Sequence, residues 1–338
     1  MRILALSVFM VLPAVAGSFQ HQDWELACDN TRTCRAAGYN VNHPEAIGIS
    51  VLLERKAGPS EPVTATLQLG TAESSSILPA SGQVTMTIDG NSLGIVGINP
   101  ETGVGKLSQH QTDAFLAALA KNSVFQWSSD ELTWVLSGAG AAAVLLKMDD
   151  WQGRIGTPGA LIRKGSKPED SVLQALPLPV VQAVPVNGAK VSLSKAQQNA
   201  LRPVLAKLLK KDECPEFGKE FLAATRLDTR KLLVSTLCWR GIRDMTYGFW
   251  VLNSTAPQNP VLVTTGAWDH SDGTITAYVH GTGYGDCRHS DEWTWDGQRF
   301  RHTLESTTGM CRMVALGGAW ELPTIVSDVR RSSSGKPK

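Results

Sequence analysis

The chain has 338 residues, with 32 Lys or Arg against 31 Asp or Glu and a formal net charge of +1. So even a balance gives no electrostatic basis for binding nucleic acid or an anionic membrane surface. The length suffices for two cores of ordinary size. The first stretch, MRILALSVFMVLPAVA at 1–16, begins basic at Arg2, runs apolar and ends on Ala14-Val15-Ala16. That is the layout of a cleaved secretory signal peptide. Its apolar run is shorter than the roughly 20 residues of a bilayer crossing, and no later stretch approaches that length. The expectation is an exported mature chain without a transmembrane segment.

Next come WELAC and CRAAGY, two strand-like runs around the turn residues DNTR, with Cys28 and Cys34 facing each other across the turn. In an exported protein Cys28, Cys34, Cys214, Cys238, Cys287 and Cys311 are expected to pair. Other connectivities stay open, but the spacing suggests Cys28–Cys34, Cys214–Cys238 and Cys287–Cys311. The first would contribute about 2 kcal/mol and each of the others about 3.5 kcal/mol on chain-entropy grounds. A redox pair would show C-x-x-C, and a zinc site using His21 or His43 matches no ligand spacing, so the opening pair reads as a staple.

VTATLQLG and QVTMTIDG alternate with period two and read as strands. SQHQTDAFLAALAKNS is a helix opened by a Ser108–Gln111 capping box, and SGAGAAAVLLKMDDWQ is a second helix with Ser137 as its expected N-cap. Residues 166–190 carry Pro168, Pro177, Pro179 and Pro185, which excludes a long helix and marks an extended linker between domains. A third helix starts at Ser194, with Pro203 expected to kink or restart it. The remainder to about 326 is strand-rich. In DEWTWDGQRFRHTL, a turn at Asp296-Gly297 places Trp293, Trp295, Phe300 and His302 on one face by parity. Glu292, Thr294, Arg299 and Arg301 fall on the other, expected as a charge-paired water face. The basic end, from 327, reads as a disordered tail.

The motifs with catalytic precedent fail on context. GNSLG at 90–94 has the nucleophile-elbow spacing, but a strand follows Ser92 where a helix is required. Ser192-x-x-Lys195 lacks its partner motifs, and GTGYGDC has no helix behind it to bind phosphate. DHSDG offers Asp269 and Asp272 for calcium but reads better as a turn. The histidines show no H-x-H or H-E-x-x-H spacing, so a metal site would have to be assembled by the fold. Trp268, Asp269, Asp272, His280 and His289 are the candidate ligand-binding residues; no catalytic residue, metal or cofactor is assigned. Ten tryptophans include six in the second half, where stacking on sugar rings competes with core packing as their role.

DWELACDNTRTCRAAGY, AAAVLLKMDDWQGRIGTPGALIRKG and the GYGDC…DEWTWDGQRF…CR series resemble a family of exported Gram-negative bacterial proteins of unknown function. The first two segments are also similar, more loosely, to invasion-associated locus B proteins. The resemblance implies a periplasmic, disulfide-bonded protein of two domains and supplies no catalytic residues. As a whole the sequence reads as an α+β chain of two mainly antiparallel, sandwich-like β domains, each with one or two packed helices. Their spans are 17–165 and 191–326, joined by 166–190 and followed by the tail 327–338. The expected role is non-enzymatic: an accessory protein that binds an unknown periplasmic protein or envelope component. The alternative is an envelope glycan- or peptidoglycan-binding module or hydrolase.

Overall fold

The computed structural model describes residues 16–43, 47–70, 78–129, 132–241, 244–255 and 259–331. The expected signal peptide lies outside them except for Ala16, as do residues 332–338 of the expected tail. The architecture is α+β, dominated by antiparallel sheets. β1 (Gly17–His21), β2 (Trp24–Cys28), β3 (Cys34–Tyr39), β4 (Ile49–Arg55) and β5 (Val63–Leu69) pair in chain order, and β8 (Val104–Lys106) adds beside β5. Alternation sends Leu26, Ala36, Leu53 and Ala65, one rung across four strands, to a single buried face. Trp24 stands opposite Gly38, where any Cβ would overlap the indole; glycine leaves the ring its place.

A second sheet, in the order β10 (Leu132–Leu136), β9 (Phe125–Ser129), β6 (Gln83–Ile88), β7 (Asn91–Gly97), closes the same core with α1 (Gln109–Leu119) and α2 (Ala141–Trp151). The Ser108–Gln111 capping box of α1 is formed as expected. The cap of α2 is not: Gly140, at φ +95°, is its N-cap, and Ser137 instead accepts from Ala139 N. The chain there runs against the backbone of His21, and a side chain at 140 would overlap that carbonyl. The turn thus selects glycine, which a search for polar caps overlooks.

The second half is three layers. β12 (Ala223–Arg226), β13 (Lys231–Arg240), β14 (Met245–Asn253) and β15 (Val261–Ala267) form the central sheet. On one face α3 (Lys195–Ala206) packs Leu201 and Leu205 against Leu232, Val234, Trp250 and Leu252. Pro203 does not interrupt α3; the carbonyl that loses its partner belongs to Asn199, on the exposed side. The other face meets a five-stranded sheet of β16 (Asp269–Ser271), β17 (Thr274–His280), β18 (Arg288–Trp295), β19 (Phe300–Thr307) and β20 (Leu322–Ile325). Leu233, Phe249 and Val251 pack there on Ile275, Ala277 and Trp295.

All three local disulfides are present: Cys28–Cys34, Cys214–Cys238 and Cys287–Cys311. The proline-rich stretch is extended, with β11 (Val180–Ala183) pairing in parallel with β21 (Asp328–Arg331). Residues 328–331, expected within the tail, are therefore a strand. Their charges do not prevent backbone pairing, and Arg331 also donates to Thr274 Oγ1 at 3.0 Å.

The last part of the chain, 308–326, crosses back over the outer face of the first sheet. Ala27, Ala37 and Tyr39 are buried there under Val314 and Leu322. Glu25 accepts hydrogen bonds from Tyr39 Oη and Met310 N, each at 2.7 Å, and Arg312 pairs with Asp23 at 2.7 Å. Trp320 donates to Ser50 Oγ at 2.7 Å, and the Asn30 amide exchanges hydrogen bonds with the backbone of Val326.

The Trp hairpin keeps its expected parity, with Trp293 opposite His302 and Trp295 opposite Phe300. Its second face differs from expectation. Arg301 pairs with Asp296 rather than Glu292, and Thr294 and Thr303 are buried and hydrogen-bonded to each other at 3.1 Å. Trp295 is 1% exposed, so Trp295→Ala should cost about 3–5 kcal/mol, against less than about 0.5 kcal/mol for the exposed Arg301→Ala. Chemical denaturation of both variants checks this.

A second prediction concerns Glu25. Burial pushes its carboxyl above the ordinary 4.5, outweighing the hydrogen bonds from Tyr39 and Met310 and the charge of Arg312. Such a group binds its proton more tightly folded than unfolded, so stability falls as pH rises from 4.5 through the folded value. Glu25→Gln keeps the accepting oxygen without the charge and should flatten this part of the profile. Urea midpoints between about pH 4 and pH 7 provide the measurement, and an unchanged slope would contradict the assignment.

Candidate functional site

Parity along the central sheet of the second half separates two jobs. Ala224, Leu232, Val234, Trp250 and Leu252 point to the α3 side, whereas Ala223, Thr225, Leu233, Ser235, Tyr247 and Phe249 point toward the five-stranded sheet. β15 and β16 are parted by one residue, Trp268, where the chain leaves the central sheet and joins the other; Trp268 N donates to Thr276 O at 2.7 Å. Beside this corner the sandwich interior opens into a cavity of about 320 Å³. That lies at the lower end of the range for small-ligand sites.

Its walls are aromatic: Tyr247, Phe249 and Trp268, the last 45% exposed at the rim. Its polar groups are Lys190, whose ammonium lies 3.4 Å from Thr225 Oγ1, with Ser235, Asp269 and His270. The His270 ring packs against Phe249 and Phe300 at centroid distances of 6.4 and 6.0 Å. Its Nε2 is buried and has no hydrogen-bond partner among the described residues. Burial lowers its pKa, the Lys190 charge adds to that, and Asp269 and Asp272 oppose it. The cavity wall therefore contains an imidazole held toward its neutral form, with a buried ring nitrogen that has no partner among the described residues.

Of the five candidate residues, Trp268 and Asp269 line this cavity. Asp272, at φ +48°, makes the two-residue turn with Gly273 between β16 and β17. His280 lies 3.4 Å from Asp244 and edge-on to Tyr278. His289 belongs to a separate group, its Nε2 2.8 Å from Asp291 Oδ2, while His302 Nε2 lies 2.7 Å from Asp291 Oδ1. Burial acts to raise the Asp291 carboxyl, but the two histidines outweigh it and hold it at about 2. The hydrogen bond to Asp291 raises the pKa of His289. Sequence reasoning missed Lys190, Tyr247, Phe249 and His270. The odd-numbered parity of KLLVSTLCWR and TYGFWVLN was a usable signal for the walls; for Lys190 there was none.

A larger cleft of about 760 Å³ lies in the first half between α1 and residues 158–164. Two of its charged side chains, Arg55 and Glu169, hold its own rim. Arg55 donates to Glu61 O and Gly159 O at 2.9 Å each, and Glu169 accepts from Gly159 N at 3.0 Å. The neighbouring DDWQGR segment is structural in the same way. Asp149 accepts from Leu161 N and Ile162 N, Gln152 donates to Arg32 O and Arg55 O, and Arg154 donates to Lys56 O and Gly58 O. Burial, with the nearby Arg55 charge, lowers the Arg154 pKa to about 10.

Stapled antiparallel sheets with a small aromatic cavity at a sheet corner define a disulfide-bonded α+β protein; among the described residues no helix is long and apolar enough to cross a membrane. The chain belongs to the DUF1176 family of proteins of unknown function, whose model matches residues 18–327. It is similar to the uncharacterized protein YpfG of Escherichia coli (strain K12), at 24% identity over 96% of this chain and 98% of that protein. No solved structure matches the chain.

Proposed function

We propose that the protein is a non-enzymatic periplasmic accessory protein that holds a saccharide-bearing envelope component in the cavity at Trp268. The observation that carries this reading is the pairing of aromatic walls with the unpartnered ring nitrogen of His270. An aromatic face covers the apolar side of a sugar ring, and a few fixed polar groups orient its hydroxyls. Lys190 and Asp269 add one charge of each sign at the same rim, suited to a ligand bearing acid and amide groups. Three disulfides accord with an oxidising compartment, and the leader expected at 1–16 accords with export to the periplasm. In this reading 17–165 and 191–326 are two domains docked through 308–326, and the second carries the ligand.

Trp268 is half-exposed, so Trp268→Ala should change stability by less than about 1 kcal/mol. Losing one aromatic face should weaken binding about tenfold. Retention of wild type and variant on insoluble peptidoglycan, together with titration by soluble glycan fragments, measures this. Equal retention of the two proteins would refute the cavity as the site. Release of new reducing ends by the wild type would replace the accessory reading with a hydrolase.

A further inference from the structure

The register of β18 and β19 carries an irregularity between Glu292 and Trp293. Asp291 stands opposite Glu305 and Trp293 opposite His302, so Thr303 is an extra residue on β19. In a regular strand His302 and Glu305, three positions apart, would face opposite sides of the sheet. The bulge reverses the parity and puts both on the face of Asp291. Bulges recur beside functional sites because they re-aim side chains in this way.

One ligand atom from each of Asp291, His302 and Glu305 lies within 4.8 Å of the others. The His302 ring is fixed by stacking on Trp293, centroids 4.8 Å apart and planes 12° from parallel. The Glu305 carboxylate has no hydrogen bond or ion pair among the described residues, although it faces the Asp291–His302 pair. Two carboxylates thus stand beside two imidazoles, with no Lys or Arg partner among the described residues. The side chains of Asp291 and His302 are 14% and 29% exposed, and that of His289 is 43%, so the group opens to solvent.

We propose that Asp291, His302 and Glu305 bind a first-row divalent cation of the zinc class, with His289 holding the second oxygen of Asp291. One imidazole and two carboxylates suit zinc better than calcium, which takes six or more oxygens, or magnesium, which keeps most of its water. Carboxylates that ligate a metal are themselves held by hydrogen bonds, and His289 supplies one to Asp291. Three protein donors fill three of the four positions of a tetrahedral ion and leave one for water or an exogenous ligand. None of the four residues lines the cavity at Trp268, so the site stands independently of the ligand proposed there.

The test is titration of the full, disulfide-bonded protein with Zn²⁺ alone, followed by calorimetry and by the side-chain nitrogen resonances of its histidines. Wild type should bind one ion and shift the Nε2 resonance of His302, leaving His21, His43 and His110 unmoved. Glu305→Gln and His302→Gln should each weaken binding at least tenfold, and His289→Gln about tenfold. Calcium and magnesium at the same concentration should not compete. The proposal is overturned if wild type binds no zinc up to about 1 mM, a few orders weaker than protein zinc sites. It is equally overturned if the shifted resonances exclude His302, or if folded Glu305→Gln binds like wild type. The resonance measurement uses wild type only, so it discriminates even where a variant fails to fold.

Discussion

The half-buried carboxylate of Glu25 ties the two ends of the chain together. It stands on β2, accepts from Tyr39 on β3 and from Met310 at the start of the returning segment, and is only partly open to solvent. An unsatisfied carboxylate at that place would be costly, so the site specifies where 308–326 must lie. The same segment is held from the other side by Cys287–Cys311 and by the pairing of β20 with β19. A staple within the second half therefore also fixes the cover of the first sheet. Gly309, at φ +93°, lies so close to Tyr39 Oη that a side chain would displace the hydroxyl.

The second half is organised by how its sheets meet. The strand changes sheets at one residue, Trp268, at the edge of the space between the layers. Trp268, Asp269 and His270 are carried there by topology, and Tyr247 and Phe249 reach the same space by parity. The irregularity in β18–β19 acts at a smaller scale: one added residue puts His302 and Glu305 on a common face. Both features are local departures from regular pairing, and both place chemistry where a regular sheet would place packing.

Much of the fold was legible in the sequence because it rests on local rules. The capping box at Ser108, the N-cap at Ser194, the period-two strands and the near-neighbour cysteines each act within a few dozen residues, and each is formed. The Gly140 cap was not legible, since its cause is the backbone of His21, far away in the chain. Nor was the strand at 328–331, whose partner is β11. Among candidate site residues, Trp268 and Asp269 reach the cavity, but Asp272 serves a turn and His280 a contact with Asp244. His270 was passed over because no spacing marks a histidine whose importance comes from a missing partner. The Asp291–His302–Glu305 group was hidden further, since its spacing has the wrong parity until the bulge is known.

Whether the corner at Trp268 is where the protein meets the envelope is tested most directly by photocrosslinking in intact cells. A photoreactive amino acid at Met245, on the cavity rim, should capture a saccharide-bearing species that a glycan-cleaving enzyme removes. The same group at Ile95, more open to solvent than Met245 but in the first half of the chain, should capture none. Equal capture from both positions, or capture from Ile95 alone, would contradict a ligand site at this corner.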